Sequence, residues 1–167
     1  VMRSTLNLMD VGMIILQFGG NAMPAISGQR SIEFYAKSIS NEIRYFKEIC
    51  PEAVIMFIGP SDMSRNIDGE MKTWPMLPEL NEALKDSVLK NGGAYWDMFN
   101  AMGGKNSMPV WVKSQPALAS TDYIHFTLRG AQKISEMIHF AIYNDYAAFQ
   151  LRKKIEELKA DTVFTRK

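Results

Sequence analysis

Two short apolar runs flank a helical pattern, and this arrangement limits the fold more than any other feature of the sequence. Residues 11–20, VGMIILQFGG, and residues 53–60, AVIMFIGP, are almost continuously apolar. Such runs are typical of strands that are buried on both faces. Between them, residues 29–50 carry apolar side chains every three or four positions, which predicts a helix that stops at Pro51. Strand, helix and strand make a βαβ unit, so the two strands should be parallel.

The same alternation continues along the chain. Residues 78–91 predict a second helix, which Gly92-Gly93 ends, and residues 94–99, AYWDMF, predict a third strand. From residue 128 to about residue 160 the pattern is helical again. The order β-α-β-α-β-loop-α predicts an α/β fold with a parallel sheet.

The chain of 167 residues is 47% hydrophobic, which is enough for one domain with a core. We expect residues 1–167 to form a single, partial domain, with residues 146–167 as a charged helical extension. Residues 61–77 and 101–120 are predicted loops, and the lead-in MRSTLNLM is not a strand. Because three strands are few for a parallel sheet with covered edges, we expect further strands of this sheet to precede residue 1.

Composition argues against several classes of partner. The formal net charge is +1 with no block of like charge, so neither nucleic acid nor an anionic membrane surface is indicated. No run is long and apolar enough to span a membrane. The single Cys50 excludes an internal disulfide, and its place on the apolar side of a predicted helix indicates a buried thiol. We expect no metal and no cofactor, since neither a His/Cys cluster nor a glycine-rich phosphate loop is present.

Three polar clusters follow the predicted strands, where α/β proteins bind ligands. Asn21 follows the first strand, Ser61 and Asp62 follow the second, and Asp122 and His125 follow the third at a distance. These groups should converge at the carboxyl edge of the sheet.

Asp122 and His125 have the spacing of an acid–base pair. His125 is either an exposed loop residue or a general base, whose tautomer a carboxylate three residues upstream would hold. His139 lies within a predicted helix and is interpreted as structural. Asn21 is either a turn residue or an N–H donor to an oxyanion, beside glycines that permit tight backbone geometry.

Two blocks of the sequence resemble the SGNH hydrolases, the GDSL-like lipases and acylhydrolases. ILQFGGNAMP resembles their third block, in which Gly-x-Asn follows a strand, and STDYIHFTLRGAQKISEMI resembles their last block, Asp-x-x-His-Phe. The resemblance extends from about residue 11 to residue 145. It implies a flavodoxin-like three-layer α/β/α sandwich and an esterase or lipase that acts on ester bonds, in the periplasm or outside the cell. By position, Asn21 matches an oxyanion-hole donor, His125 the base and Asp122 the residue that orients it.

The family's Gly-Asp-Ser block, which holds the nucleophile, is absent from this chain, as is the Gly of the second block. None of Ser61, Ser107, Ser114 and Ser120 matches a nucleophile block. We therefore expect this chain to be the C-terminal part of a hydrolase domain and to be inactive by itself. The substrates of that domain would be acyl or acetyl esters, either small molecules or carbohydrates such as peptidoglycan.

Two other interpretations are a non-catalytic α/β domain that binds a ligand or partner and a nucleotide-binding module, which the missing phosphate loop disfavours. If strands are missing, the first strand would leave an open apolar edge. We expect self-association through that edge.

Overall fold

The computed structural model describes residues 2–164, with no side-chain description for Met2, Asn7 and residues 160–164. Residues 165–167 of the predicted C-terminal extension therefore lie outside the described residues. The helices are α1 (Met2–Leu8), α2 (Gln29–Ile49), α3 (Leu77–Lys90), α4 (Met98–Ala101), α5 (Ser107–Lys113) and α6 (Leu128–Phe164). The strands are β1 (Met13–Gln17), β2 (Val54–Ile58), β3 (Ser64–Ile67), β4 (Glu70–Thr73) and β5 (Ala94–Trp96), and a 3₁₀ helix spans Gly20–Ala25. No helix within residues 2–164 has the length and apolarity to cross a membrane.

The main sheet is parallel and has the order β1-β2-β5. Met13 pairs with Val54 and Gln17 with Ile58, so β1 and β2 run side by side over five residues each. Met56 pairs with Ala94 at the start of β5. The βαβ arrangement predicted from the apolar runs is confirmed.

Helices cover the sheet on both faces, which confirms the predicted α/β/α layering. On one face, β1 and β2 contribute Leu16, Ile55 and Phe57 to a core that α2 and α3 complete. The buried helix residues of this core include Ile32, Ile39, Ile43, Leu80, Leu84 and Val88. On the other face, Ile58 and Trp96 pack with Met98 and Trp111 and with Ile134 and Met137 of α6. Burying one large apolar side chain stabilises the fold by about 1.5–3 kcal/mol.

Local structure in four segments was predicted incompletely. The predicted loop 61–77 contains the antiparallel hairpin β3–β4, whose turn residues Asp68 and Gly69 both have positive φ, at 54° and 85°. A tight hairpin turn requires two residues with positive φ angles, and Asp-Gly meets this requirement.

The predicted strand 94–99 stops at Trp96 because the Asp97 carboxylate accepts the Asn100 N–H at 3.0 Å and begins α4. Likewise, α5 lies within the predicted loop 101–120, and the lead-in forms α1.

Cys50 is buried, as its sequence position predicted. It ends α2 and packs with Ile49 and Ala53 against α1.

Candidate active site

A short loop, residues 120–127, carries the candidate acid–base pair between two fixed ends. Ala119 and Phe126 form an isolated antiparallel bridge, and the Ser120 N–H donates to the His125 carbonyl at 2.8 Å. Inside the loop, Tyr123 has φ +60° and donates its N–H to the Ser120 carbonyl. The bridge and these bonds hold the loop in one tight conformation.

Asp122 and His125 are in direct contact, as their spacing predicted. Asp122 Oδ2 lies 2.7 Å from Nδ1 of His125, while Oδ1 accepts the backbone N–H groups of Ile124 at 2.9 Å and His125 at 3.0 Å. The His125 N–H and ring, together with the Ile124 N–H, lower the pKa of Asp122 to about 2. The carboxylate is thus ionised at neutral pH and favours the imidazole tautomer with its proton on Nδ1. The basic lone pair is then on Nε2, and 77% of the His125 side chain is exposed.

Contacts that are distant in sequence anchor this loop to the rest of the fold. The Ser64 N–H, at the start of β3, donates to the Tyr123 carbonyl at 2.9 Å. The Phe126 ring lies 5.6 Å from the Trp111 ring of α5. At the loop's end, the Thr127 N–H donates to the Leu118 carbonyl at 3.0 Å.

Gly130 allows α6 to begin where it does. A Cβ atom at this position would lie 1.8 Å from the Leu118 carbonyl oxygen, so only glycine lets the first turn of the helix approach the 117–119 segment. The Thr127 hydroxyl joins the two segments, since it accepts the Gly130 N–H at 3.2 Å and donates to the Ala117 carbonyl at 2.8 Å.

Asn21 lies in the 3₁₀ helix directly after β1, beside a cavity of about 240 Å³. The wall includes Gly19, Gly20 and Asn21 from the β1 end, Pro60 and Ser61 from the β2 end, and Tyr35 of α2. Burial raises the pKa of the Tyr35 hydroxyl. A hydrogen bond from the Gly19 N–H to this hydroxyl partly offsets the increase. Gly19 has φ +120°, a conformation that other residues rarely adopt.

The cavity and the acid–base loop lie at the same end of the sheet. Met98 lines the cavity and also belongs to the apolar cluster against which Tyr123 and Phe126 of the loop pack. Asp122 and His125 are not among the residues that line it. The predicted convergence of Asn21 with His125 on one cleft, and the catalytic role of each, therefore stay predictions.

The four serines weighed from the sequence have different surroundings. Ser61 is half-buried and lines the Asn21 cavity. Ser107 is buried, 3.4 Å from Asp62 Oδ2, and Ser114 donates to the Trp111 carbonyl at 2.8 Å. Ser120 lies at the start of the His125 loop.

Asp62 is a fully buried carboxylate with a structural role that the sequence did not indicate. It accepts the Thr73 hydroxyl at 2.8 Å and the Met108 N–H at 2.7 Å, and so joins the end of β2 to β4 and α5. Burial raises its pKa against the opposing effect of these donors. In the described part of the chain, no group of three or more His, Cys, Asp or Glu side chains is arranged to hold a metal ion.

The solved structures that are similar to this chain include a peptidoglycan O-acetylesterase and a candidate GDSL-like lipase. The peptidoglycan O-acetylesterase superposes with a TM-score of 0.73 and 22% sequence identity over 81% of this chain. The candidate GDSL-like lipase, from Parabacteroides merdae ATCC 43184, superposes with a TM-score of 0.52 and 19% identity over 74% of it. The fold is SGNH/GDSL-like.

The chain spans 38% of the length of the esterase and 57% of the length of the lipase candidate. No protein-family model matches the sequence, and no curated protein matches it significantly.

Proposed function

We propose that this chain carries the general base and one oxyanion donor of a serine ester hydrolase. The observation that carries the proposal is the 2.7 Å contact between Asp122 Oδ2 and His125 Nδ1 in an anchored, exposed loop. A carboxylate that holds the imidazole tautomer is what an imidazole base requires in acyl transfer. The SGNH/GDSL-like fold supports the same reaction class.

The reaction proceeds by covalent catalysis. A serine hydroxyl attacks the ester carbonyl while His125 Nε2 takes its proton, and Asp122 stabilises the imidazolium. The Asn21 side-chain N–H donates to the oxyanion. One such donor lowers the barrier by about 3–4 kcal/mol. His125 then protonates the leaving alkoxide, and water repeats the cycle to release the acid.

The substrates we propose are acyl or acetyl esters, including acetylated carbohydrate. Support comes from the similarity to a peptidoglycan O-acetylesterase and from the position of the 240 Å³ cavity beside Asn21. The nucleophile is a serine outside these 167 residues, since the sequence contains no Gly-Asp-Ser.

The test compares this chain with a version extended by an N-terminal segment that contains Gly-Asp-Ser. By itself, the chain should hydrolyse p-nitrophenyl acetate no faster than free imidazole, because loss of the nucleophile from such a triad costs about a million-fold in kcat. The extended protein should react with a fluorophosphonate probe and turn over the ester. His125→Ala should then abolish turnover, while His139→Ala, which changes the only other histidine, should not.

Robust turnover by the 167 residues alone, with a probe adduct mapped to Ser61 or another local serine, would contradict the proposal. The second candidate is a non-catalytic domain that binds a ligand or partner, which the missing nucleophile favours. An extended protein that neither labels nor turns over would support that candidate.

A further inference from the structure

The base of the β3–β4 hairpin adjoins both elements that carry the candidate catalytic residues. On one side, the Ser64 N–H at the start of β3 donates to the Tyr123 carbonyl of the acid–base loop at 2.9 Å. On the other side, a Cβ atom at Gly20, the residue before Asn21, would lie 3.4 Å from Cε of Met63. The hairpin therefore forms a wall beside the candidate site.

Strand alternation shows which side chains of the hairpin face the 3₁₀ helix at the end of β1. Successive side chains of a strand point to opposite faces. Ser64 and Thr73 form one pair of the ladder, and both are buried. The ladder continues to the next pair, since the Trp74 N–H donates to the Met63 carbonyl at 2.8 Å. Met63, Trp74 and Arg65 therefore share the other face, which is the face that adjoins the 3₁₀ helix.

The Arg65 side chain extends towards the base of the hairpin. Its Cζ lies over the Trp74 ring, 5.4 Å from the ring centroid, which is within the range of a cation–π contact. Trp74 directly follows β4 at the base, whereas the Asp68-Gly69 turn is at the opposite end of the hairpin. Because Arg65 is exposed and Trp74 is half-buried, the guanidinium lies at the surface near the candidate site.

The Arg65 guanidinium has no acidic partner. Among the side chains that the structure describes, the Trp74 ring is its one partner. Glu70, the carboxylate on the same face of the hairpin, pairs with Lys72 at 2.8 Å, and this bond lowers the pKa of Glu70. A planar guanidinium binds a carboxylate through a pair of parallel N–H···O bonds. The stacked Arg65 therefore offers its donors to one anionic group from outside the chain.

We propose that Arg65 binds a carboxylate of the substrate and so selects acidic esters, such as acetylated sugars that carry a carboxylate. This inference rests on the proposed function, since it assigns the ester group to Asn21 and His125 and a second group of the same substrate to Arg65. None of the described residues that line the cavity beside Asn21 is charged. Ser61, which lines that cavity, lies four residues before Arg65. The positive charge that distinguishes an acidic from a neutral substrate is therefore supplied by the hairpin.

Binding is tested by NMR on the ¹⁵N-labelled 167-residue chain, with circular dichroism to show that each variant is folded. The chain has three Trp, and loss of one indole N–H signal in Trp74→Phe identifies that of Trp74. Methyl glucuronide should shift this signal saturably, whereas methyl glucoside, which lacks the carboxylate, should not. Arg65→Gln should weaken glucuronide binding by about tenfold. Arg44→Gln is the matched control, because it removes the same charge from an exposed arginine of α2, and it should leave binding unchanged.

Specificity is tested on the protein extended by the Gly-Asp-Ser segment. The measured quantity is the ratio of kcat/KM for acetylated methyl glucuronide to kcat/KM for acetylated methyl glucoside. Arg65→Gln should lower this ratio by about tenfold, mainly through KM, because the carboxylate is bound equally in the ground state and the transition state. Arg65→Lys retains the charge without the paired geometry and should restore part of the ratio. Arg44→Gln should not change it.

Absence of glucuronide binding, an equal response of the Trp74 signal to inorganic phosphate, or equal effects of Arg65→Gln and Arg44→Gln would overturn the proposal. An unchanged ratio in an active Arg65→Gln enzyme would overturn it while the proposed function stands. Glucuronide binding that depends on Arg65, in an extended protein that neither labels nor turns over, would support the carboxylate site and contradict the hydrolase function.

Discussion

Replacing Gly130 by alanine should destabilise the fold, although alanine is the better helix former. Helix propensity alone predicts a gain of up to about 1 kcal/mol for this change. Against it, the new Cβ would lie 1.8 Å from the Leu118 carbonyl oxygen, where real Cβ contacts are not found below 3.0 Å. The start of α6 and the Leu118 segment would therefore have to separate by about 1.2 Å.

That separation has a cost that the structure allows us to bound. Forcing extra volume into a packed site typically costs about 1–3 kcal/mol. The movement also breaks the bond from the Thr127 N–H to the Leu118 carbonyl, now 3.0 Å long and worth about 1 kcal/mol. After the gain in propensity is subtracted, we expect Gly130→Ala to lower the free energy of unfolding by about 1–3 kcal/mol.

Urea unfolding followed by circular dichroism measures this difference. Both the variant and its parent should be measured at the same low protein concentration, so that association does not contribute to apparent stability. Gly12→Ala is the matched control, because no atom lies within 4 Å of its new Cβ, and it should change stability by about 0.5 kcal/mol or less. A Gly130→Ala protein as stable as its parent, or more stable, would refute the steric reasoning.

Two further predictions concern buried and paired carboxylates. The Asp122 carboxyl should titrate near pH 2, so the stability it contributes is present above its ordinary pKa of 3.8 and is lost as the pH falls towards 2. A ¹³C titration should show that midpoint rising in His125→Ala, and an unchanged midpoint would remove the ring from the explanation. Asp62→Ala should lower the free energy of unfolding by about 3 kcal/mol or more, because the buried donors of Thr73 and Met108 lose their acceptor. Asp62→Asn retains an acceptor oxygen and should lose less in urea unfolding, whereas equal losses would count against this hydrogen-bond explanation.

The parts of the fold that the sequence predicted well are those governed by apolar periodicity. Ile39 and Ile43 belong to the apolar spacing that predicted a helix over residues 29–50, and they are 4% and 0% exposed. The β1–β2 pair follows from the same reasoning, since runs that are apolar on both faces have few alternatives to a parallel sheet. The hairpin β3–β4 was missed because its strands, SRNI and EMKT, show little apolar alternation.

What stabilises that hairpin is largely distant in sequence. Thr73 of β4 bonds to Asp62, and the Thr73 N–H donates to Asn106 Oδ1 at 3.0 Å. The Asp68-Gly69 turn was the one local signal, and it lay inside a segment without strand-like composition. The cavity beside Asn21 was unpredictable for a similar reason, because Tyr35 reaches it only when α2 packs on β1.

The contact between Asp122 and His125 was predictable because it is local, and for that reason it is weak evidence of function when taken alone. Any surface loop of this spacing can form such a pair, and an exposed pair contributes little stability. A surface ion pair does not require that its loop be anchored by three separate contacts. Here the Ser64 N–H, the Trp111 ring and the Leu118 carbonyl all hold residues 123–127 at the carboxyl end of the sheet. An exposed imidazole so anchored has a fixed position relative to the end of β2, which a catalytic base needs and a solvated salt bridge does not.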